Sequence, residues 1–167
     1  YWHFIKLMGR SASHIALECA LQTHPNICLI SEEIQQKDLS LNDIVEYIAT
    51  IVAHRAAQGN NFGVVLVPEG LIEFIPAIGR LIQDLNDLLA TNGAEYRDLD
   101  EEAQWTYILD HLKGKNRATF ATLPKEVALQ LSLDRDPHGN VPVSLIETEK
   151  LLSDMVGVKL AEWKKEG

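Results

Sequence analysis

The sequence predicts an α/β fold: a parallel sheet flanked by helices, followed by a mainly helical C-terminal part. Three observations predict it. Apolar, strand-like runs recur at residues 2–7, 27–30 and 63–67. Each is followed by apolar residues at helical spacing. The links are short, so the order β-α-β-α-β-α up to residue 90 calls for parallel strands joined by right-handed crossovers. The expected organisation is one domain, with residues 1–90 as its βαβαβα part and 91–167 as the helical extension.

The elements follow in order. Residues 2–7 are aromatic and β-branched, and from Ser13 the residues Ile15, Ala16, Cys19 and Ala20 fall on one helical face. His24-Pro25-Asn26 stops that helix, because the residue before proline is pushed out of the α region. Residues 27–30 then form a short, uniformly apolar strand, the pattern of one covered on both faces. Ser40-Leu41-Asn42-Asp43 is a capping box with Asp in place of Glu; the helix it opens carries Ile44, Ile48, Ile51 and Val52 and ends near Gly59. The third strand, 63–67, runs into the turn Pro68-Glu69-Gly70. A helix follows from about Pro76, where proline is tolerated in the first turn, to Leu89. Beyond it, "TNGAEYRDLDEEAQ" reads as polar and turn-rich, residues 101–112 and 124–131 as helices, and "DRDPHGNVPV" as turns. Residues 144–163 close the chain as a helix weakened at Gly157.

Composition narrows the function classes. The 167 residues are 46% hydrophobic and carry a formal net charge of -9. That charge repels nucleic acid and anionic membranes, so neither is expected as a partner. No apolar run reaches the roughly 18 residues of a transmembrane helix, and the N-terminus lacks a signal-peptide layout. Cys19 and Cys28 lie in apolar stretches without metal spacing and read as free core thiols. A cytoplasmic location is expected. The chain opens on Tyr1 without an initiator Met and in strand-like sequence. This leads to the expectation of a segment from a longer polypeptide.

In open parallel sheets ligands bind outside the carboxyl ends of the strands. The strands here deliver Met8-Gly9-Arg10, Ser31-Glu32-Glu33 and Pro68-Glu69-Gly70 to that end. Gly9 allows close backbone approach, Arg10 offers a planar fork of donors for phosphate, and the helix start at Ser13-His14 presents free N–H groups. Glu69 suits sugar hydroxyls, because a carboxylate only accepts hydrogen bonds. A phosphosugar fits both halves. The alternative is a turn glycine, a surface arginine and a solvated loop acid. Glu32-Glu33 and Glu101-Glu102 read as solvated charges, and His14 with Glu18 as capping or surface residues rather than metal ligands. No P-loop spacing and no Ser-His-Asp or Cys-His arrangement is present.

The stretches "YWHFIKLMGRSASHIALECALQTHPNICLI", "GVVLVPEGLIE" and "DPHGNVPVSLIETEKLL" resemble the long-chain pyrophosphate-dependent 6-phosphofructokinases over most of the chain. ATP-dependent phosphofructokinases share the Met-Gly-Arg triplet; "DPHGNV" and its flanks favour the pyrophosphate-using branch. The resemblance implies a phosphofructokinase-like three-layer sheet and substrate-binding roles for Met8, Gly9, Arg10 and Glu69 toward fructose 6-phosphate. Tyr1 matches the second member of the family's Lys-Tyr pair, by which one subunit reaches its partner's substrate site. The Gly-Gly-Asp-Asp and Thr-Ile-Asp-Gly-Asp motifs for pyrophosphate, magnesium and the catalytic base are absent, so no catalytic or metal residue is expected in this segment, and the segment alone is expected to be inactive. The implied parent is a glycolytic phosphotransferase that moves a phosphoryl group from pyrophosphate to fructose 6-phosphate with Mg2+ bound outside this segment, as a homodimer or larger oligomer with shared sites. The alternatives are an ATP-dependent enzyme, a non-catalytic regulatory subunit, or a sugar-phosphate-binding module of the same fold.

Overall fold

The computed structural model describes residues 1–9, 13–132, 141–142 and 145–166, with backbone only at 92–94 and 166. Arg10, residues 134–140 and 143 of the expected turns at 134–143, and the expected helix start at Ser144 lie outside the described residues. The chain divides into two compact units, Tyr1–Ile75 with Glu147–Gly167, and Pro76–Ile146.

The first unit is built on a parallel sheet in the order β1-β3-β2. Strand β1 (Trp2–Leu7) pairs with β3 (Gly63–Pro68) from Trp2 opposite Gly63 to Leu7 opposite Pro68. Strand β2 (Ile27–Cys28) lies on the other side of β3, Ile27 opposite Val65. Central position explains the apolar run of β3: Val65, Leu66 and Val67 are all buried. The first crossover passes from β1 to β2 through α1 (His14–Thr23), and the second returns to β3 through α2 (Ser31–Gln36) and α3 (Leu41–Ala57). Right-handed crossovers that travel in opposite directions along a sheet fall on opposite faces. Helix α9 (Thr148–Glu166) packs on α3 and β1, completing the layer on α3's side, and Glu149 lies 3.7 Å from the Lys6 ammonium. The α/β layering expected of the sequence is therefore present in this unit.

Local chemistry explains the element boundaries. Ser40 and Asp43 form the expected capping box: the Asp43 N–H donates to Ser40 Oγ at 3.2 Å and the Ser40 N–H to Asp43 Oδ2 at 2.8 Å. Hydrogen bonds from the Ser40 hydroxyl and backbone hold the Asp43 carboxyl below its ordinary value. At the start of β3 the Val64 N–H donates to Asn26 Oδ1 at 2.9 Å. A Cβ on Gly63 would stand 2.5 Å from Trp2 Cζ3 and 2.7 Å from Asn26 Oδ1, so glycine is required there for packing. Strand β2 is shorter than the expected 27–30, and the chain passes through Leu29 and Ile30 into α2, a short helix where no element was expected. After β3, the single turn α4 (Leu71–Phe74) buries Leu71 and Ile72.

The second unit is helical: α5 (Pro76–Arg97), α6 (Glu101–His111), α7 (Gly114–Thr122) and α8 (Lys125–Leu131). Helix α5 runs two turns beyond the expected Leu89, through Asn92-Gly93, so most of the presumed turn-rich stretch is helix. Tertiary packing overrides the local signals: Tyr96 near its end is buried, and its ring meets Tyr107 of α6 at 6.0 Å. Helix α7 has no apolar stripe for a sequence reading to find. One fully buried residue, Phe120, anchors it with its ring centroid 4.8 Å from Trp105 of α6.

Candidate functional site

The carboxyl ends of β1 and β3 are knitted together. The Glu69 N–H donates to the Leu7 carbonyl at 3.0 Å, which carries the ladder one residue past the strands. The Glu69 side chain then turns back, and its Oε2 accepts the Gly9 N–H at 2.8 Å. Glu69 is only 6% exposed, so it is no solvated loop acid. Gly9 has φ +143°, and a Cβ there would stand 3.0 Å from Ile15 Cδ1. Both the backbone conformation and the contact with α1 call for glycine. Met8 beside it is 71% exposed.

The expected site residues divide accordingly. Met8, Gly9 and Glu69 stand together at the carboxyl edge of the sheet. Arg10 follows Gly9 outside the described residues. Tyr1, 97% exposed, precedes β1 at the opposite end of the strand. A strand of that length spans about 20 Å, so Tyr1 and Gly9 of one chain do not share a site.

A second set of contacts at the same edge was not legible beforehand. The Ser13 N–H donates to Glu32 Oε1 at 2.9 Å, and the Ser31 N–H donates to Ser13 Oγ at 2.8 Å. The first turns of α1 and α2 thus satisfy one another: a hydroxyl at the start of α1 takes an orphan donor of α2, and a carboxylate in α2 takes the amide that leads into α1. Ser13 makes no side-chain cap within its own helix. Hydrogen bonds from the Ser13 backbone, and next from its side chain, hold the Glu32 carboxyl below its ordinary value. Glu32 is exposed to solvent, as its reading as a solvated charge expects, and in addition it accepts the Ser13 N–H. Its signal, an acid directly after a strand-end serine, pairs with a residue 19 positions away.

The other candidates behave as surface or core groups. Glu33 pairs with Lys37 and Glu102 with Lys125. Glu18 accepts from Gln22 within α1. Cys19 and Cys28 are free and half-buried, and burial, with Cys19 as a secondary cause, pushes the Cys28 thiol up. Among the described residues no group of three His, Cys, Asp or Glu stands together to hold a metal ion, and no helix is long and apolar enough to cross a membrane.

No family model matches the chain. It is 60% identical over 167 residues, all of this chain and 30% of the relative's length, to a pyrophosphate–fructose 6-phosphate 1-phosphotransferase of Porphyromonas gingivalis. A Treponema pallidum protein of the same name is 55% identical over 168 residues, covering 100% of this chain and 29% of its own length. Subunit beta 2 of the Arabidopsis thaliana enzyme of that name is 50% identical over 167 residues, again 100% of this chain and 28% of that one. Along its entire length, then, the chain is similar to a segment of the pyrophosphate–fructose 6-phosphate 1-phosphotransferases, spanning 28 to 30% of these relatives.

Proposed function

We propose that this segment supplies part of the fructose 6-phosphate site of a pyrophosphate-dependent phosphofructokinase, whose whole chain reversibly transfers a phosphoryl group from pyrophosphate to give fructose 1,6-bisphosphate. The supporting observation is the Gly9 N–H to Glu69 hydrogen bond, which joins the two turns that the residue types single out for phosphate and for sugar. Gly9 admits the ligand close to the backbone, Arg10 meets the phosphate charge, and Glu69 offers its other carboxylate oxygen to a sugar hydroxyl. Met8 closes the edge with an exposed apolar side chain. Residues 1–90 serve as the βαβαβα part of a sugar-phosphate-binding domain and 91–167 as its helical extension, in a cytoplasmic enzyme.

The opposite placement of Tyr1 and Gly9 on β1 supports a shared site, in which Tyr1 of one copy reaches the substrate of another. The word subunit in the plant relative's name agrees with an oligomer. The Mg2+ implied for such an enzyme is bound outside this segment, and nothing in this segment's role runs through it. Phosphoryl transfer rests on positioning and charge neutralisation, of which this segment contributes the acceptor's positioning. The test is calorimetric titration of the full-length protein with fructose 6-phosphate, with and without Arg10→Ala. An affinity indifferent to that change overturns the assignment.

A further inference from the structure

Helix α1 has one covered stripe. Of residues 14–23 only Ala16, Cys19 and Ala20 are not exposed, the i, i+3, i+4 spacing of a single helical face, and the helix packs on β2 and β3. Cys28 of β2 meets that face: its S–H donates to the Ala16 carbonyl at 3.6 Å. A helical carbonyl points toward the C-terminus, and Cys19 follows Ala16 by about 4.5 Å along the axis, so the Cys28 sulfur stands beside the turn that carries Cys19. The chain between the two already doubles back. Helix α1 ends at His24 in the left-handed conformation, φ 49°, and Pro25 leads into β2. Both thiols are free and half-buried.

We propose that Cys19 and Cys28 are a disulfide-forming pair, a modification site that hydrogen peroxide oxidises and that ties α1 to β2 when closed. The Cys19 thiolate attacks one peroxide oxygen. The O–O bond breaks, hydroxide leaves and takes up a proton to become water, and Cys19 is left as a sulfenic acid. The Cys28 sulfur then attacks the Cys19 sulfur; the S–O bond breaks, and the hydroxyl departs as a second water with the Cys28 proton. In all, two thiols lose two electrons and two protons to one peroxide. The order follows from the surroundings. Burial, with Cys19 as a secondary cause, pushes the Cys28 thiol up, and its bond to Ala16 uses the S–H, so Cys28 is the partner that resolves rather than the one that attacks first. Nothing in this pair depends on the sugar-phosphate site.

The test exposes reduced full-length protein to hydrogen peroxide, alkylates it with iodoacetamide and cuts it with trypsin. Both cysteines fall on one peptide, residues 11–37, released by cleavage after Arg10 and Lys37. That peptide is expected to lose two hydrogens and take up no alkyl group, and dithiothreitol should restore both thiols. A peptide that keeps two alkylatable thiols, or gains oxygen instead, overturns the pair. In Cys28→Ser the Cys19 sulfur should gain oxygen, whereas in Cys19→Ser the Cys28 thiol should stay alkylatable; the reverse pattern overturns the order of attack. Equilibration with reduced and oxidised glutathione tests the folded geometry. The constant favouring the disulfide should be about tenfold higher in the native protein than in urea, because a bridge that fits the fold is harder to reduce there. Equal constants would mean that closeness in sequence alone joins the thiols, and would overturn the structural assignment.

Discussion

The Gly9 N–H donates to the Glu69 carboxylate at 2.8 Å across 60 residues of sequence. Parallel pairing of β1 and β3 makes the contact possible, because both strands end at the same edge with Leu7 opposite Pro68.

Gly9→Ala meets two obstacles, a left-handed backbone at φ +143° and a Cβ 3.0 Å from Ile15 Cδ1. The expected cost is about 1–3 kcal/mol of stability, together with weakened fructose 6-phosphate binding. Denaturant unfolding and calorimetry on the same preparation check both.

Arg10→Ala removes the guanidinium assigned to the sugar phosphate. Charged hydrogen bonds contribute about 1.5–3 kcal/mol, so a loss of affinity of roughly 10- to 100-fold is expected, with the melting temperature unmoved. Inorganic phosphate as a competitor should lose potency in parallel.

Glu32 links stability to pH. Its carboxyl is held below the ordinary value near 4.5 by the Ser13 hydrogen bonds. A depressed carboxyl stabilises the fold fully above its unfolded value, and that contribution disappears as pH falls through the lower folded value. Acid unfolding of Glu32→Gln should therefore show a shallower dependence below about pH 4.5 than the parent. Identical acid profiles would remove Glu32 from the account.

Gly63→Ala pushes a Cβ to 2.5 Å from Trp2 Cζ3 at the start of the β1–β3 ladder. Overpacking of this kind costs about 1–3 kcal/mol. The Trp2 ring, which has Arg55 stacked 5.9 Å away, must shift, so near-ultraviolet circular dichroism should change along with the unfolding midpoint.

In the helical unit, Phe120→Ala empties a fully buried position against Trp105. About 3–5 kcal/mol is expected. Trp105 emission should shift to the red at denaturant concentrations where the parent's does not.

Much of the fold was legible from local patterns. Strand β1 appears over the expected residues, the Ser40–Asp43 box opens α3, and α6 and α8 lie within a residue or so of their expected bounds. These elements are set by short-range chemistry: alternation, capping and helical spacing act within a few residues. Where distant packing decides, the local pattern misleads. Asn92-Gly93 signals a turn, yet burial of Tyr96 keeps α5 helical; α7 buries one residue, Phe120, and ties Asn116 to Asp84 of α5, and no periodicity reveals either.

The candidate site divides in the same way. Gly9, Arg10 and Glu69 stood out because their residue types suit a phosphosugar at strand ends, a matter of side-chain chemistry that needs no coordinates. That Glu69 is buried and spends one oxygen on Gly9, and that Glu32 accepts the Ser13 N–H, follow only from the strand order β1-β3-β2. Hydrogen bonds bridging 19 or 60 residues depend on which strands lie side by side and end together. Side-chain chemistry singled out the candidate groups; the folding of the parallel sheet decided which of them meet.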